Sequence, residues 1–109
     1  MKTNLSLDCK EFDEYLIDTY QDCIMDYPGI HYIFRFENGF GASVAKCFGS
    51  YGYENDLWEL CVILFKDENK KATDEYVLWY PYSILKGNDV LGSLNDIEIR
   101  RILQKIKDL

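Results

Sequence analysis

The chain has 109 residues, 48% of them hydrophobic, and a formal net charge of −7. That length suits one domain around one core and leaves no room for a second. Contact with nucleic-acid phosphates needs clustered Lys and Arg, so the acidic balance argues against direct nucleic-acid binding and favours a basic protein partner, or acidity serving only solubility. The charge is uneven, with −5 in residues 1–29, −3 in residues 30–80 and +1 in residues 81–109.

In the first segment Cys9, Phe12, Leu16, Tyr20, Cys23 and Tyr27 recur at intervals of three and four. This spacing predicts an amphipathic helix over residues 8–26, with Asp8 and Glu11 as an N-terminal capping pair and Pro28-Gly29 as its stop. On the opposite face Glu11, Glu14, Asp18 and Asp22 would stack as an acidic stripe, with charges about 5–6 Å apart, close to the phosphate spacing of one strand. Such a stripe has the form of a nucleic-acid mimic aimed at a basic groove. It is also what an ordinary solvated helix face looks like.

Four strands are expected next, over residues 30–37, 40–48, 57–66 and 75–80. Asn38-Gly39 between the first two is a strong hairpin signal and predicts a type I′ turn, in which both central residues take positive φ. The strand at 57–66 is apolar on nearly both faces, which marks it as an interior strand. After a polar turn at residues 67–74 and the fourth strand, Asn95 and Glu98 form a capping-box pair ahead of Ile97, Ile99, Ile102, Leu103 and Ile106. The resulting expectation is an α+β fold: a four-stranded antiparallel β-meander flanked by N-terminal and C-terminal α-helices, in the order α-β-β-β-β-α.

The N-terminal residues lack the apolar run of a signal peptide, and no stretch approaches the ~18 apolar residues of a membrane span. A cytoplasmic protein without membrane contact is expected. Cys9, Cys23, Cys47 and Cys61 are widely spaced, with no C-x-x-C pair and one His in the chain. They read as reduced, mostly buried thiols, and neither a metal site nor a cofactor is expected. His31 is the sole candidate for imidazole catalysis, with Ser43, Cys47 or Cys61 as nucleophile, yet no nucleophile-elbow motif accompanies it. The expected histidine is an ordinary strand residue, so no catalytic residue is assigned. Tyr51 and Tyr53 in a glycine-containing loop, with Trp79, Tyr80 and Tyr82 around Pro81, offer rigid contact area of the kind binding surfaces use.

Three pieces, Asn38-Gly-Phe-Gly-Ala-Ser-Val44, Tyr51-Gly-Tyr-Glu-Asn-Asp-Leu-Trp-Glu-Leu60 and Asn88-Asp-Val-Leu-Gly92 leading into the C-terminal helix, occur in this order. They resemble a group of small, largely uncharacterised proteins encoded by phages and prophages of Gram-positive bacteria. The resemblance covers residues 30–109 and implies a mobile-element accessory protein; it carries no functional residues with it. The segment 8–26 lies outside it, and Tyr80-Pro-Tyr82 stands where the group more often has an Asp-Thr-Pro turn.

The expected function is therefore binding of another protein, basic in character, through Glu11, Glu14, Asp18, Asp22, Tyr51, Tyr53, Trp79 and Tyr82. Inhibition of a nucleic-acid-targeting bacterial defence, as an anti-CRISPR protein does, is a special case of that reading. An immunity protein against a basic nuclease toxin follows the same charge logic. A small enzyme or nucleotide-binding protein using His31 is the reading from another class, and a homodimer through a sheet edge is left open.

Overall fold

A computed structural model of the chain describes residues 5–65, 79–81 and 90–109. A short 3-10 helix, Lys10–Tyr15, leads into six strands: β1 (Leu16–Ile24), β2 (Tyr27–Arg35), β3 (Phe40–Lys46), β4 (Trp58–Phe65), β5 (Trp79–Pro81) and β6 (Val90–Leu94). The helix α1 (Asp96–Lys107) closes the chain. β1 to β4 pair in sequence order, all antiparallel, and β4 then pairs with β5 through Ile63 to Phe65 and with β6 through Trp58 to Cys61. The antiparallel α+β class and the interior position of β4 agree with expectation, but the sheet has six strands among the described residues instead of four, and of the expected strand at residues 75–80 only Trp79 and Tyr80 lie within the described residues.

The expected first helix is replaced by the 3-10 turn and β1. Ile17, Thr19 and Ile24 are β-branched and Tyr15, Tyr20 and Tyr27 aromatic, a composition that favours strand once a pairing partner is present. Pro28-Gly29, read as a helix stop, lies inside β2 opposite Cys23 and Asp22. The turn that joins β1 to β2 is Met25-Asp26, flanked by the pair Ile24 and Tyr27. Both residues have positive φ, 51° and 68°, which is the type I′ geometry.

At Asn38-Gly39 the turn is of another kind. Gly39 N–H donates to Phe36 O at 3.1 Å and only Gly39 is left-handed, at φ 87°. This is a type I turn closed by a left-handed glycine, the usual three-residue hairpin loop. The geometry frees the Asn38 side chain for two tasks. Its Oδ1 accepts from Phe40 N–H at 3.0 Å, and its Nδ2 reaches the carbonyls of Ile106, Lys107 and Leu109 at 2.9, 3.2 and 3.3 Å. Asn38 thus caps the C-terminus of α1, whose last carbonyls have no partner within the helix. Asn38→Ala is expected to lower stability by about 1–2 kcal/mol in a denaturant titration, with an unchanged slope.

α1 opens with the predicted capping box, Glu98 N–H donating to Asn95 Oδ1 at 2.9 Å and Asn95 N–H to Glu98 Oε1 at 3.1 Å. Its buried residues Ile99, Leu103 and Ile106 cover one sheet face, where they meet Phe34, Val44, Trp58, Leu60 and Val62. The N-terminal segment folds over the same core. Cys9 and Phe12 are buried there as expected, but Tyr20 and Tyr27 are exposed and Cys23 with them, because β1 turns away from α1. Cys9 alone of the four cysteines is fully buried, and burial together with nearby Asp13, Glu11 and Asp8 pushes its thiol up to about 11. Among the described residues no helix is long and apolar enough to cross a membrane.

On the other face Ile33, Ile63 and Phe65 form a smaller cluster with Ile17. Strand alternation carries that face toward the β1–β2 turn through Tyr20, Asp22 and His31.

Candidate binding site at the first hairpin

The expected acidic stripe does not exist, because its residues belong to different elements. Glu11 lies in the 3-10 turn, 3.4 Å from Arg100 of α1, and Glu14 is exposed in the same turn. Asp18 and Asp22 lie on β1, where Asp18 accepts from Thr19 N–H at 2.8 Å. Tyr53 is buried and donates its hydroxyl proton to Pro28 O at 2.6 Å, so it is a strut between the loop and β2. Tyr51 is exposed, as expected of a contact residue. Trp79 opens β5, opposite Phe65, and Tyr82 lies outside the described residues.

What the fold assembles is a patch at the tip of the first hairpin. Nine large apolar side chains are exposed among the described residues, and six of them, Tyr20, Ile24, Met25, Tyr27, Phe48 and Tyr51, belong to the β1–β2 hairpin or the loop after β3. Tyr27 and Phe48 stack at 5.0 Å between centroids, and Tyr27 meets Tyr53 edge to face at 6.3 Å. Together with Ser50, Tyr51, Glu54 and Asn55 they line a cleft of about 550 Å³. Exposed apolar side chains gathered in this way mark interaction surfaces, whereas scattered ones do not.

Beside this cleft lies a polar cluster. Asp22 Oδ2 and His31 Nε2 are 2.7 Å apart, and the imidazole stacks on the Tyr20 ring at 4.4 Å with an interplanar angle of 7°. Cys47, just beyond β3, completes the cluster: one donor atom from each of Asp22, His31 and Cys47 lies within 4.8 Å of the other two. Ser50 ties the cluster to the cleft, since its hydroxyl donates to Cys47 O at 2.8 Å and accepts from Cys47 N–H at 3.1 Å. Burial, Asp22 and Glu59 raise the Cys47 thiol above its ordinary range, against the lowering effect of the Ser50 hydrogen bond.

The sequence offers Cys47 as one of three alternative nucleophiles for His31 and Asp22 only as a member of the acidic stripe, and it has no means of joining the three. The signal was present only as spacing: the two-residue turn at Met25-Asp26 sets Asp22 opposite Gly29, two residues before His31. Gly29 then makes the approach possible. A Cβ at that position would run into Asp22 Oδ1 and lie 2.7 Å from Cys47 Cβ.

The chemistry open to the cluster follows from its shape. A Cys, His, Asp relay puts thiol and carboxylate on opposite ring nitrogens, roughly 7 Å apart in line. Here the three groups close a triangle with no side above 4.8 Å. Thiol, imidazole and carboxylate donors that converge in this way are suited to holding a common ligand. Comparison with models of known families, with curated proteins and with solved structures finds no match to the chain.

Proposed function

We propose that the protein is a non-enzymatic binding module that takes a protein partner at the tip of its first hairpin. The observation that carries this reading is the exposed apolar surface of Tyr27, Phe48 and Tyr51 that lines the cleft, with Ile24 and Met25 exposed in the adjoining hairpin tip. Met25 sharpens it. A left-handed conformation costs a non-glycine residue without a short polar side chain about 1–2 kcal/mol, and strain of this kind is kept where a side chain is needed in place. The β1–β2 pairing on either side holds the turn closed, and Met25, 74% exposed, leaves its side chain presented at the tip.

The partner is expected to present an apolar segment flanked by basic groups, because Asp26 and Glu54 border the aromatic surface and the chain is acidic overall. Carboxylates on β1, at Asp18 and Asp22, disfavour edge-to-edge pairing with a second copy, which supports a different chain as partner. A phage or prophage accessory role rests on the sequence resemblance alone. Inhibition of a nucleic-acid-targeting defence drew its structural motive from the acidic helix, and a net charge of −7 does not replace that motive.

Replacing the turn tests the reading. Met25→Asn with Asp26→Gly installs the residues that type I′ turns prefer and is expected to raise stability by about 1–2 kcal/mol. Affinity purification of tagged protein from a bacterial host, with mass spectrometry at low and high salt, should recover a partner with the natural chain and lose most of it with this variant. Undiminished recovery with the variant and also with Tyr51→Ser would place the interface elsewhere.

A further inference from the structure

We propose that Asp22, His31 and Cys47 form a three-donor site for a transition-metal cation, best matched by Zn²⁺. The donors come from β1, β2 and the residue following β3, so the site exists only in the folded sheet. Mixed sulfur, nitrogen and oxygen donors select zinc-like ions and not Mg²⁺ or Ca²⁺, which take oxygen ligands.

Three features set this cluster apart from a chance meeting of polar side chains. Asp22 Oδ1 is buried and accepts no hydrogen bond among the described residues, an arrangement that costs free energy unless another group meets it. Gly29 leaves open the space into which this oxygen and Cys47 project. The imidazole is held in place by its stack on the Tyr20 ring, which is not itself a ligand, so the ring needs little reordering.

Ligand atoms around tetrahedral Zn²⁺ lie about 3.3–3.7 Å apart given bonds of about 2.0–2.3 Å, so the Asp22–His31 contact of 2.7 Å has to open by about an ångström while no donor separation exceeds 4.8 Å at the outset. On binding, the Cys47 thiol gives its proton to solvent and becomes the thiolate ligand. His31 binds as the neutral imidazole: a proton on the ligating nitrogen moves to the other ring nitrogen or, where that nitrogen already carries one, to solvent, so that one N–H remains on the ring. Three protein ligands leave a fourth position, filled by water in the isolated protein. A cation there fastens β1 to the end of β3 and stiffens the hairpin that carries the apolar patch. The site does not depend on the partner-binding reading, since its test needs no partner.

The test is titration of the reduced, metal-free full-length protein with Co²⁺ and then Zn²⁺. One equivalent of Co²⁺ is expected to give a thiolate-to-metal charge-transfer band that Zn²⁺ abolishes, and Zn²⁺ alone should raise Tm. Cys47→Ser should remove the band, and His31→Gln should weaken Zn²⁺ at least tenfold in competition with a chelating dye, whereas Cys23→Ser and Cys61→Ser leave both unchanged. Circular dichroism of each variant separates lost binding from lost fold, and the Tm shift of the natural chain serves as the reading if a variant does not fold. A band that persists in Cys47→Ser, or a natural chain that neither binds one equivalent of Zn²⁺ nor gains Tm from it, would overturn the proposal.

Discussion

Asp56→Asn is expected to lower the stability of this protein by about 2 kcal/mol, which is roughly 9 °C in Tm for a chain of this size. The reason lies in Lys46, whose side chain is 2% exposed at the end of β3. Its Nζ sits 3.0 Å from Asp56 Oδ1 and 4.3 Å from the centroid of the Trp58 ring. Neutralising Asp56 leaves a buried ammonium facing an amide in place of a carboxylate. Removing one member of a buried pair costs about 3–5 kcal/mol when both charges are enclosed, and Asp56, 36% exposed, brings the figure down. Asparagine is the informative replacement because Asp56 is left-handed at φ 59°, a conformation that Asn also tolerates. Lys46→Met should recover most of the loss in the Asp56→Asn background, since an apolar chain of similar length then fills the site. A thermal-melt cycle over the four proteins measures the coupling. Equal losses from Asp56→Asn with and without the Lys46→Met change would show that the charge pair is not the cause.

Asp96→Ala is expected to cost about 2–3 kcal/mol, because one carboxylate joins the buried Trp58, the N-terminal segment and the start of α1. Its Oδ1 accepts from the Trp58 indole N–H at 2.8 Å, and its Oδ2 accepts from Asp8 N–H at 3.0 Å. It also occupies the first turn of α1, where the helix dipole favours a negative charge. Trp58 is fully buried, so the truncated site strands an indole donor away from water. Asp96→Asn keeps an acceptor for the indole and is expected to lose only about half as much. Urea titration followed by tryptophan fluorescence measures both. Similar losses from the two variants would assign the effect to the charge at the helix end instead of to the indole hydrogen bond.

Both carboxylates serve the helix-covered side of the sheet, whereas the proposed binding surfaces lie at the hairpin tip and on the face that α1 does not cover. This separation matters for the functional tests. Changes at Met25, Tyr51 or Cys47 leave Asp56 and Asp96 in place, so stability measured beside binding distinguishes damage to the scaffold from damage to the site.

The sequence alone determined the elements whose signals are local. Alternation along residues 30–36 and 57–65 marked β2 and β4, and the Asn95 and Glu98 pair with Ile99, Leu103 and Ile106 specified α1 down to its cap. Asn38-Gly39 marked a hairpin, but the turn is a type I turn with a left-handed Gly39, and it leaves the Asn38 side chain free to meet the end of α1, 68 residues away in the chain. The segment 8–26 misled because intervals of three and four describe a helix only if the chain has no better partner. β2 supplied one, and two residues with no strong turn signature, Met25 and Asp26, were bent into a type I′ turn by the pairing on either side. That single tertiary decision dissolved the acidic stripe, moved Tyr20 and Tyr27 to the surface, and brought Asp22 to His31 and Cys47. Residues that touch across strands leave no mark in the spacing of either strand, so the site became legible only when the register of the sheet was fixed.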